Sequence, residues 1–137
     1  MVVTEAWLID KSALVRIPTH PDEPIWSQRI DQGLVHVCAV TLLEIGYSAR
    51  NAAEHARLLG SAPLSRMILR WDTPAPVTRR AYEVQGLLAA SGHHRAPSIA
   101  DLLLAATAES AGLTVLHCDK DFELIAEMTE QALYRLT

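Results

Sequence analysis

The stretch Leu113-Thr-Val-Leu-His-Cys-Asp119-Lys-Asp121-Phe122 does most to limit what this chain can fold into. A nearly unbroken apolar run ends in two carboxylates, and a helical pattern starts directly after them. Parallel strands buried on both faces read as continuous apolar runs, because helices cover the sheet on each side. The same grammar occurs earlier. Ala6-Trp-Leu-Ile9 ends at Asp10, and Leu34-Val-His-Val-Cys-Ala-Val40 runs into Thr41-Leu-Leu-Glu44. In open α/β sheets, ligands bind just beyond the carboxyl ends of such strands. Acids at those ends are therefore placed for chemistry.

The rest of the chain fills in around these strands. Ser12–Arg16 reads as one or two helical turns cut off by Pro18. Ile25, Trp26 and Ile30 recur at helical spacing, with Pro24 in the opening turn and Gly33 at the end. A helix from Thr41 to about Ala49 follows, and Asn51 is expected to cap another that runs to about Gly60. Met67-Ile68-Leu69 fits either a helix end or a short strand. Val77–Ser91 carries Val84 and Leu88 four residues apart, with Arg79, Arg80 and Glu83 facing solvent. From Ser98 to Ala111 a strong helix has Ile99, Leu102, Leu103 and Ala106 as its expected buried face, and Gly112 closes it. A helix to about Met128 and an edge strand near Ala132–Leu136 complete the pattern. Strands alternating with helices predict an α/β fold around a mainly parallel sheet, and 137 residues suit one domain, 1–137.

Composition removes several classes. The net charge of −4 argues against a protein that coats DNA through a basic face. It leaves nucleic acid open, since bound cations neutralise an acidic cleft locally. Cys38 and Cys118 match no zinc spacing and are expected as buried thiols. No run approaches ~20 apolar residues and no signal peptide is visible, so a soluble cytoplasmic protein without a membrane role is expected.

Four acids stand at strand ends or helix starts: Asp10, Glu44, Asp101 and Asp119. Each has an ordinary explanation. Thr41-x-x-Glu44 has the form of a capping box, Ser98-x-x-Asp101 is close to one, and Asp10 and Asp119 suit N-caps. Capping leaves something over, because Asp10 and Asp119 would share one sheet edge, with Asp121 adding charge. Crowded carboxylates raise one another's pKa or call for a counter-ion. Carboxylate oxygens are preferred by Mg²⁺ or Mn²⁺, and such a cluster suits metal-assisted displacement at phosphorus.

Leu8-Ile-Asp10-Lys-Ser12-Ala-Leu, Thr41-x-x-Glu44, Ser98-Ile-Ala-Asp101-Leu-Leu-Leu-Ala-Ala106 and His117-Cys-Asp119-Lys-Asp121-Phe122 together resemble the PIN-domain nucleases. The resemblance is closest to the VapC-type ribonuclease toxins of toxin–antitoxin pairs. It implies a three-layer α/β/α sandwich whose acids bind Mg²⁺ or Mn²⁺ and cleave RNA. Asp10 and Asp101 would be the principal metal ligands, and Glu44 a ligand or the group that positions or deprotonates water. Asp119 would be the fourth acid, with Asp121 behind it. Ser12 matches a residue that orients the first aspartate, and Thr41 would cap the Glu44 helix. Lys11 stands where many relatives have Thr and, with Arg95, is a candidate RNA contact. The resemblance further implies a cognate antitoxin partner and a homodimer.

Other readings compete. A phosphatase or phosphoacceptor domain also clusters acids on a parallel sheet, but a haloacid-dehalogenase-like enzyme wants its Asp-x-Asp after the first strand. A catalytically weak module that pairs with another protein is a third reading. No G-x-S-x-G elbow, P-loop or dinucleotide fingerprint is present. His93 and His94 read as a solvent-facing loop pair, and His36 and His117 as packed strand residues. Trp26, Ile30 and Leu42 fit either the core or a groove for a partner's helix.

Overall fold

The structure is a computed structural model and describes residues 5–137. Among these residues, five short strands form one sheet: β1 (Trp7–Ile9), β2 (Val35–Cys38), β3 (Ile68–Arg70), β4 (Thr114–His117) and β5 (Leu133–Arg135). Their order is β3-β2-β1-β4-β5, and every neighbouring pair is parallel. β1 is central, so the chain builds outward through β2 and β3 and later returns to add β4 on the other side. Strand order therefore reverses between β1 and β4, the place where open α/β sheets bind ligands.

Among the described residues, seven α-helices connect and cover the strands: α1 (Lys11–Leu14), α2 (Glu23–Asp31), α3 (Ala39–Tyr47), α4 (Ala52–Gly60), α5 (Ala75–Ala90), α6 (Ile99–Ala111) and α7 (Asp121–Thr129). Alternation along the strands separates two cores. Trp7 and Ile9 of β1, Val35 and Val37 of β2, and Leu116 of β4 face one layer with Trp26, Ile30 and Leu42. Leu8, Cys38 and Val115 face the other, against α5, α6 and α7. This is the expected three-layer α/β/α sandwich. Among the described residues, no helix is long and apolar enough to cross a membrane.

Several local expectations needed correcting. α3 begins at Ala39, capped by Cys38 without a side-chain hydrogen bond, so Thr41 lies inside the helix. Its buried hydroxyl faces the Ile9 carbonyl at 3.5 Å, and Thr41 does not cap the Glu44 helix. The first helical segment is a single turn that ends at Leu14, ahead of Pro18, which lies in a separate 3-10 turn over Ile17–Thr19. Ile25 is half-exposed, with only Trp26 and Ile30 of that trio buried. Met67 enters the core and Ile68 starts β3, which resolves the ambiguous stretch as a strand. On α6, Ile99 is 72% exposed and Leu103 half-buried, while Leu104–Ala108 are buried continuously. That helix is enclosed by α5, α7 and the sheet, so one apolar stripe does not describe it. Arg80 is not simply solvated, because it ties α5 to α6 by donating to Glu109 at 2.8 Å. Cys38 is buried and Cys118 half-buried, both as free thiols.

Candidate active site

The carboxyl edge of the sheet at the β1–β4 junction is lined with acids. β1 ends in Asp10, whose backbone N–H still joins the ladder to the Leu116 carbonyl at 2.9 Å. Its side chain is buried and caps α1: Oδ2 accepts from the Ser12 N–H at 3.0 Å and from the Ser12 hydroxyl at 2.5 Å. The Ser12 oxygen in turn accepts the Cys118 N–H at 2.8 Å. One hydroxyl thus links the acid ending β1 to the backbone leaving β4 and leaves little freedom in the Asp10 carboxylate. Asp119 follows β4. Its Oδ1 accepts the Asp121 N–H at 3.0 Å, and its own N–H donates to Nδ1 of the buried His117 at 3.1 Å.

Asp101 arrives from across the fold. Ser98 begins α6 with a full capping box: its hydroxyl accepts the Asp101 N–H, and Asp101 Oδ2 accepts the Ser98 N–H, both at 3.0 Å. The cap spends one carboxylate oxygen and leaves the other for the cleft. Asp101, Asp119 and Asp121 each bring an oxygen to within 4.8 Å of the others. Asp10, Lys11, Ser12 and Glu44 line the same cleft of about 360 Å³, together with Val15, Ala96 and Ser98.

The electrostatics follow from this crowding. Burial raises the Asp101 pKa to about 6, with Asp10 and Asp119 adding to the rise and the Ser98 hydrogen bonds opposing it. Glu44 is raised by burial and then by Asp10 and Asp101, partly offset by Lys11. Asp121 is raised by burial and by Asp119. Three carboxyls held above their ordinary range in one cleft are short of positive charge. Close-set carboxylate oxygens suit a hard divalent cation, so the donor set fits Mg²⁺ or Mn²⁺.

The PIN domain family matches residues 7–128, a span that takes in every one of these acids. This chain belongs to the PIN domain family. Ribonuclease VapC2 of Mycobacterium tuberculosis is 56% identical over 133 residues, covering 97% of this chain and 94% of that protein. Ribonuclease VapC21 of the same species is 42% identical, covering 94% and 92%. Two solved structures share the fold. DNA-bound VapBC from Salmonella typhimurium has a TM-score of 0.76 at 18% identity and covers 98% of this chain and 100% of that one. VapBC2 from Rickettsia felis, bound to a promoter fragment, has 0.77 at 18%, covering 96% and 99%.

In this PIN domain the four acids separated in sequence face one cleft, and Asp121 sits with them instead of behind them. Lys11 lines the cleft as well. Arg95 is exposed and is not among the cleft's lining residues, although its neighbour Ala96 is. His93 and His94 are solvent-facing, and His117 is buried against Phe122. Val15 is 58% exposed on the cleft wall, and no sequence signal marked it, because an apolar residue in a short helix reads as core.

Proposed function

We propose that this PIN domain is an endoribonuclease that depends on a divalent metal and serves as the toxin of a toxin–antitoxin pair, acting in the cytoplasm. The observation that carries this reading is the convergence of Asp10, Glu44, Asp101, Asp119 and Asp121 on one cleft at the reversal point of the sheet. The ribonuclease names of its VapC relatives support the substrate class.

Asp10, Asp101 and Asp119 would hold the ion, with Asp121 on the same side of the cleft. When bound, Mg²⁺ or Mn²⁺ supplies positive charge for the phosphate and makes water more acidic. The protein's own residues do the remaining work. Ser12 holds Asp10 in one orientation, and the Ser98 box holds Asp101. Glu44 is the acceptor for the proton lost by the attacking water, since its raised pKa brings it closer to a neutral working range. Hydrolysis then leaves two shorter strands, one ending in phosphate and one in a hydroxyl. Lys11 is the basic side chain among the cleft's lining residues and would meet a phosphate oxygen of the RNA.

The partner is an antitoxin, and the solved VapBC structures support that pairing. A second groove, of about 520 Å³, runs between α3, α4 and β3, with Leu42, Leu59, Leu64 and Trp71 among its lining residues. It is an apolar seat of the kind an amphipathic helix fills. A second copy of the chain completes the expected assembly.

The test is strand scission. Purified protein with Mg²⁺ or Mn²⁺ should cut RNA into shorter strands, release no inorganic phosphate from a small phosphomonoester, and stop when the metal is chelated. Asp10→Asn should lower cleavage by at least ~10²-fold, the scale of losing a key electrostatic group. Phosphate release without scission would favour the phosphatase reading. A tight complex with an antitoxin but no cleavage at any metal concentration would favour a binding module.

A further inference from the structure

Beside the acid cleft lies a shallow second depression of about 360 Å³, walled by Lys11, Val40, Leu43, Glu44, Tyr47 and Ile99. Lys11 and Glu44 belong to both. The two are therefore adjoining compartments with a common wall, one acidic and one apolar. Three of the apolar wall's side chains are exposed in the single chain: Leu43 is 73%, Tyr47 91% and Ile99 72% exposed. Leu43 and Tyr47 also line the groove over α3 and α4, so a helix seated there and a base on Tyr47 would exclude each other. Glu44 and Tyr47 are three residues apart on α3, which puts them on neighbouring positions of one helix face. A phosphodiester strand whose phosphate meets Lys11 would bring its next base to this wall.

We propose that this depression is the subsite for the nucleobase flanking the scissile phosphate, with Tyr47 as its stacking platform and Leu43 and Ile99 as its apolar sides. The inference rests on the ribonuclease reading and adds a specificity-determining residue to it. Single-stranded nucleic acid is gripped by pairing backbone contacts with aromatic faces on which bases stack, and Tyr47 beside Lys11 supplies one of each. Stacking on one aromatic residue is worth about tenfold in binding or more. It is tolerant of base identity because every base has a π-face, and it demands an unpaired base. The subsite therefore selects single-stranded RNA at the cut and leaves base choice to other contacts.

The experiment compares the parent, Tyr47→Phe and Tyr47→Leu on a short oligoribonucleotide spanning a mapped cut. Each is also tested on the same strand made abasic beside the scissile phosphate. Tyr47 is almost fully exposed, so both variants should fold, which melting temperature checks. Tyr47→Phe keeps the platform and should match the parent. Tyr47→Leu keeps apolar bulk without the ring and should raise KM about tenfold with kcat little changed. On the abasic strand, parent and Tyr47→Leu should become equal. If Tyr47→Leu cuts the intact strand with the parent's KM, the subsite is wrong while the ribonuclease reading stands. A Tyr47→Leu variant that changes its oligomeric state on sizing and keeps the parent's KM would assign this face to a second copy, and that also overturns the proposal. A parent that cuts no RNA sinks both readings together.

Discussion

Asp101 carries a cost to the fold that its capping role does not remove. It is buried, crowded by Asp10 and Asp119, and has a pKa near 6 where an unfolded aspartate titrates near 3.8. At pH 7.5 it is ionised in both states, so its whole penalty falls on the folded protein. As pH drops below 6 the folded state takes up a proton that the unfolded state does not bind until about 3.8, and the penalty fades. A full shift of that size corresponds to about 3 kcal/mol, which water in the open cleft reduces to roughly 1 kcal/mol. Asp101→Asn keeps an oxygen to accept the Ser98 N–H and removes the charge. In metal-free buffer it should melt higher than the parent at pH 7.5, and the gap should narrow by pH 5. The difference is the useful readout, because His117 acts in the opposite sense. Burial lowers its pKa, so stability is lost as pH falls below 6.5 in parent and variant alike. A variant that melts below the parent at pH 7.5 would contradict the assignment of strain to this carboxylate.

At the scale of elements, the site is a set of joints. Ser12 joins α1 to the end of β4 through the Cys118 N–H while donating to Asp10. Ser12→Ala leaves a half-buried N–H without its partner and frees Asp10. We expect about 1–2 kcal/mol of lost stability by urea denaturation, together with a lower kcat. Unchanged kcat beside that stability loss would mean that Asp10 needs no such support. Elements were also where sequence reading had its sharpest limits. The run Leu34–Val40 is apolar throughout, and a buried strand and the first turn of a buried helix look alike in such a run. Pairing with β1 ends at His36 and pairing with β3 at Cys38, and no residue type in the run marks either point. The Thr41-x-x-Glu44 pattern therefore has the form of a capping box while lying inside α3. Ser98-x-x-Asp101 was legible, since an N-cap serine after a loop and before a continuous apolar helix has few other uses. Ile25 and Ile99 misled for a common reason: apolar side chains at helical spacing identify a face only when a neighbour covers it.

For the whole molecule, strand order decides which acids meet. Asp10 and Asp119 are more than a hundred residues apart, yet they end neighbouring strands because β4 returns beside β1. Alternating strands and helices predicted the parallel sheet, and the acids at strand ends do meet in one cleft at its carboxyl edge. Chain order alone could not carry Asp101 there, since its place depends on how α6 packs across the sheet, and that step came from the resemblance to the PIN domains. Nor could it separate Asp121 from Asp119, whose carboxylates prove to share the cluster with Asp101. On the proposed reading, this cluster would hold the divalent ion that RNA cleavage needs. Its most direct test is RNA cleavage by parent and Asp101→Asn across a titration of Mg²⁺ or Mn²⁺, with melting temperature recorded at each concentration. The parent should gain both activity and melting temperature saturably with metal. Asp101→Asn should remain folded, lose at least ~10²-fold in cleavage, and show a much smaller metal-induced rise in melting temperature. Equal cleavage by the two proteins, or a parent indifferent to metal in both readouts, would contradict it.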